Sequence, residues 1–65
     1  MTFSEFIEQK EHRPLALVMK VEEATIRSWK RRNHIPRDRW DRLIEVFPSL
    51  TYAKLRDMAI ESASK

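Results

Sequence analysis

The residues of this chain best suited to a defined chemistry are its arginines. Arg27 and Arg31 stand four apart with Ser28 between them, and Lys30, Arg32, Arg37 and Arg39 lie close by. A guanidinium presents a rigid fork of N–H donors that meets two acceptors at once, whether phosphate oxygens or the edge of a guanine. A spacing of four places Arg27 and Arg31 on one side of a helix. Such a set suits recognition of anions and base edges rather than bond-making. His12 and His34 are the only histidines, cysteine is absent, and the acids form no spaced constellation with the histidines. Neither a catalytic group nor a metal site is expected, and the chain is read as a non-enzyme with no cofactor and no small-molecule ligand.

These side chains need elements to position them. Pro14 has a fixed φ and no N–H, so it suits the first turn of a helix, and Leu15, Ala16 and Met19 then share one face over Pro14 to Met19. From Glu22 to about Arg32 a second helix has Ile26 and Trp29 on one face, while Glu23, Ala24, Arg27, Ser28 and Arg31 line another. Only Lys20, Val21 and at most Glu22 connect the two. So short a connection forces a steep crossing, and Ala16 is small enough to permit it.

The flanks read as helix too. Thr2 and Glu5 have capping-box spacing ahead of Phe3, Phe6 and Ile7, which predicts a helix over Phe3 to Lys10. Pro36 is expected to start a fourth helix with Trp40, Leu43, Ile44 and Phe47 on one stripe, ended by Pro48. Ser49 is expected to cap a fifth helix, Leu50 to Ser62, with Tyr52, Leu55, Met58 and Ala59 inward and Ser62 to Lys65 fraying. No strand-length alternation occurs and no glycine is present, so the expected fold is all-α, a compact bundle of about five short helices in one domain over residues 1–65. Trp29 and Trp40 fall on apolar stripes and read as core rather than base-stacking platforms, and Met19 and Met58 as core fillers.

Composition bounds the partners. Sixty-five residues support one core, and with no cysteine the fold rests on packing or on dimerisation. The longest apolar run, Leu15 to Met19, is far short of the roughly 18 residues of a membrane span. The acidic N-terminal stretch lacks the apolar centre of a secretory signal, and a cytoplasmic location is the default expectation. Net charge is only +3, but it is unevenly spread. Arg13, Lys20, Arg27, Lys30, Arg31, Arg32, Arg37, Arg39 and Arg42 face only Glu22, Glu23, Asp38 and Asp41 within residues 13–42, whereas residues 1–12 carry Lys10 against Glu5, Glu8 and Glu11. A phosphate-binding surface requires such a concentration.

The run Ala16 to Trp29 followed, after Lys30, by RRNHIPRDRW resembles the Cro-like phage repressors, including Cro-like antitoxins, over about residues 14–47. The resemblance implies a lambda-repressor-like helix-turn-helix, with Pro14 to Lys20 the supporting helix and Glu22 to about Arg32 the recognition helix. It implies groove-facing Glu23, Ala24, Arg27, Ser28 and Arg31, with Arg27 and Ser28 reading bases first and Arg31 also within reach of phosphate. Glu23 has two readings, complement to the helix dipole or acceptor from a cytosine amine. Lys30, Arg32, Arg37 and Arg39 are expected phosphate clamps, with Asn33 and His34 as further phosphate contacts or local backbone partners; the competing reading of each is a solvated face.

Where the family usually has glycine at the turn, this chain has Lys20. A non-glycine residue there costs about 1–2 kcal/mol, so either the turn is strained or its geometry differs. The implied function is a double-stranded DNA-binding regulator in a bacterial or phage-infected cell, probing a palindromic operator as a homodimer, with Val46, Ala53 and Ile60 as exposed apolar candidates for the contact between copies. The reading from another class is a protein-interaction module, an antitoxin or adaptor in which DNA binding is secondary.

Overall fold

Five α-helices make up most of residues 1–64, the part described by the computed structural model: α1 (Phe3–Lys10), α2 (His12–Met19), α3 (Glu23–Arg32), α4 (Trp40–Val46) and α5 (Tyr52–Ala63). A 3-10 turn over Arg37–Arg39 leads into α4, and no strand occurs among the described residues. The fold is all-α, and no helix among those residues is long and apolar enough to cross a membrane.

Local chemistry explains where α1 begins. Thr2 Oγ1 accepts from the Glu5 N–H at 3.2 Å while Glu5 Oε1 accepts from the Thr2 N–H at 2.8 Å, so the capping box is complete. The helix then buries Phe3, Phe6 and Ile7. It packs against α2, α3 and α5, and α4 closes the bundle against α2 and α5. Leu15, Ala16 and Met19 from α2, Ile26 and Trp29 from α3, Trp40 and Leu43 from α4, and Leu55 and Met58 from α5 complete one core. Trp29 and Trp40 are therefore structural, and Trp40 Nε1 donates to the Ile35 carbonyl at 3.1 Å. Ile35 is fully buried although it lies in a connector.

Three boundaries differ from the sequence expectation. Helix α2 starts two residues before Pro14, at His12, which is harmless because Pro14 still falls among the opening positions whose N–H groups have no intrahelical acceptor. Pro36 is extended (φ −55°, ψ 140°), so the chain starts to coil only at Arg37 and reaches α-helical form at Trp40. Thr51 rather than Ser49 caps α5, because the Leu50 N–H is committed to a turn onto the Phe47 carbonyl at 2.9 Å. At the far end of α5, where fraying was expected from Ser62 onward, the helix continues to Ala63. Ser62 Oγ accepts from the Phe3 N–H at 2.9 Å and the Ser62 carbonyl accepts from Asn33 Nδ2 at 3.4 Å, which ties that end to α1 and α3; Lys65 lies outside the described residues.

Without glycine, the chain makes its reversals with other residues. Lys20 is left-handed at φ 57°, ψ 44°, with its N–H on the Leu17 carbonyl at 3.3 Å and the Val21 N–H on the Ala16 carbonyl at 3.1 Å. The turn thus has the glycine-type geometry and carries the strain. Asn33 ends α3 in the same way at φ 54°, with the His34 N–H on the Trp29 carbonyl at 3.0 Å. Glu11, between α1 and α2, is more extreme at φ 70°, ψ 145°, near a region almost reserved for glycine. Glu11→Gly is expected to stabilise the fold by about 1 kcal/mol, the released strain of about 1–3 kcal/mol exceeding the added flexibility of the unfolded chain. Thermal unfolding followed by circular dichroism should show the midpoint rising by about 4–8 °C; a fall would mean Glu11 is unstrained.

Candidate functional site

Helix α3 sits on the bundle through Ile26 and Trp29, which leaves its opposite side outward. Ala24, Arg27, Arg31 and Arg32 are exposed, and Glu23 and Ser28 are half-buried. The five residues expected to face a groove thus lie on the outer part of one helix. Arg27 is the most specific feature among them. Its Nη2 donates to Glu23 Oε1 at 3.2 Å, one turn earlier, and its side chain keeps 65% of its surface in water. The pairing steers the guanidinium along the helix yet leaves most of its donors open, and at this exposure it contributes little stability. Glu23 also complements the dipole at the start of α3, while Lys30, Arg31 and Arg32 complement its end.

The expected phosphate clamps divide into two groups. Arg32, His34, Arg37 and Arg39 are exposed, and the Arg37 guanidinium lies 5.2 Å from the Trp40 ring centre, which restricts its swing. Lys30 and Asn33 are drawn into the fold instead. Lys30 donates to Glu8 of α1, and that hydrogen bond together with the lysine's charge holds the Glu8 carboxyl below its usual range. Asn33 Oδ1 accepts from the Ser4 N–H at 2.8 Å while its Nδ2 reaches the Ser62 carbonyl, so its amide is occupied at both ends. Ser4 Oγ adds a donor to the Lys30 carbonyl at 2.6 Å, and the end of α3 is held by α1 and α5 together.

Two further exposed cations lie outside the expected set. Arg13 and Lys20 are exposed on α2 and its turn, and neither has an ion pair among the described residues; the same holds for Arg31, Arg32 and Arg39. The charge imbalance across residues 13–42 was the signal that could have found them. Arg42 behaves otherwise: its Nε caps the Val18 carbonyl at the end of α2 at 3.0 Å and its Nη1 meets Glu45 at 2.7 Å, so it is a brace between α4 and α2.

The residues expected between copies also divide. Val46 is half-buried and packs on the core, which removes it from any contact surface, because the edge of the α4 stripe faces inward. Ala53 and Ile60 are exposed on α5. Tyr52, expected inward, is exposed: its ring centre lies 6.2 Å from that of Trp40, and its hydroxyl, bound to Asp41, has its pKa raised by that hydrogen bond. Among the described residues, no group of three or more His, Asp or Glu side chains is placed to hold a metal ion.

Fold and surface together define a class in physical terms, a small all-α bundle that presents the outer face of one braced helix and, among the described residues, several exposed cations without an ion pair. Comparison with known proteins found no matching family model, no matching curated protein and no matching solved structure.

Proposed function

We propose that this chain is a sequence-specific double-stranded DNA-binding regulator of the Cro-like repressor type, in which α2, the Lys20–Glu22 turn and α3 act as a helix-turn-helix and α3 enters the major groove. The observation that supports this reading most is the outer face of α3, where Arg27 is exposed on its Glu23 brace and Arg31 and Arg32 follow without an ion pair among the described residues. Arg27 and Ser28 read base edges, with Ala24 and Glu23 at the groove floor and Arg31 between base and backbone. Arg32, His34, Arg37 and Arg39, joined by Arg13 and Lys20, hold phosphates on either side. Two copies on a palindromic site occlude a promoter in the cytoplasm of a bacterial or phage-infected cell.

The test separates reading from clamping. On a duplex selected from random sequences by the protein itself, Arg27→Ala is expected to cost about 1–3 kcal/mol while barely changing affinity for random duplex, whereas Arg37→Ala weakens both alike. Fluorescence-anisotropy titrations measure all four affinities. Unchanged preference in Arg27→Ala would remove α3 as the reading helix.

One observation favours the second reading, a protein-interaction module of antitoxin or adaptor type. Leu17 on α2 is 74% exposed and Val18 beside it is exposed too, an apolar pair that phosphate binding does not use.

A further inference from the structure

The longest helix, α5, uses only one side. Leu55 and Met58 are buried and Ala59 and Ser62 half-buried, so the face opposite them, centred on Ala53 and Ile60, is open to water; Ile60 is 61% exposed. Ala53 and Ile60 are seven residues apart, two turns, and form the midline of that face. Arg56 and Asp57 lie on its two flanks at nearly the same height, and among the described residues neither has an ion pair or a side-chain hydrogen bond. One cation and one anion, side by side and both unmatched, flank an apolar midline.

Two-fold symmetry determines what this arrangement accepts. If two α5 helices meet face to face and run in the same sense, the axis lies along the helices and exchanges the flanks. Arg56 then faces the other copy's Asp57 and the reverse, while Ile60 meets Ile60 and small Ala53 meets Ala53 on the axis. If they run in opposite senses with Ile60 on Ala53, the axis lies across the helices and each flank meets itself. Arg56 then opposes Arg56 and Asp57 opposes Asp57. Charge therefore selects the same-sense pairing and disfavours the reverse.

We propose that the outer face of α5 is the contact between two copies of this chain, paired in the same sense through Ile60 and Ala53 and locked by reciprocal Arg56–Asp57 bridges. The contact is one helix wide, below the roughly 800 Å² per partner of a stable dimer, so the pair is weak in free solution. This deepens the DNA-binding reading by supplying its two-fold partner, but it does not use the cations of α3. Helix α5 packs on α1 and α4 and reaches the end of α3 through the Asn33–Ser62 hydrogen bond, so a copy on the outer face of α5 leaves the outer face of α3 uncovered.

Sedimentation equilibrium of the full chain up to millimolar concentration, without DNA, tests the pairing. Asp57→Arg is expected to weaken self-association at least about tenfold, because both bridges become repulsions. The double exchange Arg56→Asp with Asp57→Arg should restore it to within about threefold, since only the sign of each flank changes. All three positions tested here are exposed, and circular dichroism checks that the helices persist. Ile60→Asp should abolish association. A wild-type chain that stays monomeric at millimolar concentration, or a double exchange no better than Asp57→Arg alone, overturns the pairing. Binding of Ile60→Asp to random duplex separates this from the DNA reading: a steep salt dependence there leaves DNA binding standing even if the dimer fails, and a flat one removes DNA binding whatever α5 does.

Discussion

Trp40→Ala is expected to abolish cooperative thermal unfolding and leave the chain largely unfolded at 25 °C. Trp40 is 5% exposed, its ring centre lies 6.2 Å from those of both Phe3 and Tyr52, and its Nε1 satisfies the carbonyl of Ile35. It thereby joins α1, the connector, α4 and α5. Truncating a buried tryptophan costs about 3–5 kcal/mol, and a chain of this length has roughly 3–10 kcal/mol in all. No disulfide offsets the loss, because no cysteine exists. Trp40→Phe keeps most of the ring packing and gives up the Nε1 hydrogen bond, so it should cost about 1–3 kcal/mol and retain a cooperative melt. Circular dichroism melts of the two variants distinguish them. If Trp40→Ala melts within a few degrees of the parent, this residue does not hold the elements together.

The second large effect concerns salt. Affinity for random duplex is expected to fall steeply as salt rises, log affinity dropping by about 0.9 per unit of log salt for each phosphate neutralised. Arg13, Lys20, Arg31, Arg32, Arg37 and Arg39 have no ion pair among the described residues and so are free to neutralise phosphate. If each meets one phosphate, the slope is about −5 to −6, and affinity falls by a factor on the order of a thousand between 50 and 200 mM salt. Removing Arg31 and Arg32 together should make the slope shallower by about 2. Lys30→Ala should leave it nearly unchanged, because that ammonium is engaged by Glu8. Titrations at four or five salt concentrations give all the slopes. Equal reductions from Lys30→Ala and Arg31→Ala would show that the bridge to Glu8 opens freely on DNA; a flat parent slope would end the DNA reading.

Much of the fold was legible in the sequence because its signals are local. The capping box at Thr2 and the spacing of Phe3, Phe6 and Ile7 predict α1 with both ends correct. The Ile26–Trp29 spacing and the following Asn33 bound α3 to within a residue. Where two local signals compete, the sequence is ambiguous. Ser49 and Thr51 are both competent caps, and the turn from Phe47 to Leu50 decides for Thr51. Ile35 illustrates a different blindness, since one apolar residue in a connector has no period to mark it as core. Val46 and Tyr52 exchange the sides expected of them, because the position of a stripe's edge depends on the neighbouring helix rather than on the stripe itself.

For the candidate site, residue type and helical spacing on their own grouped Arg27, Ser28 and Arg31 on one face and concentrated cations between residues 13 and 42. Those properties belong to a single helix and to the charge count, and no partner element is needed to read them. Which cations remain uncommitted is a matter of tertiary structure. Glu8 lies twenty-two positions from Lys30, and Ser4 and Ser62 each twenty-nine from Asn33, yet folding brings them within bonding reach and withdraws both residues from the outer surface. The Lys20 turn divides in the same way: the missing glycine is read from the sequence, and the structure shows that Lys20 takes the left-handed backbone itself rather than a different turn. Local interactions choose the elements, while the competition among distant charges and amides for a few positions is resolved only when the helices meet.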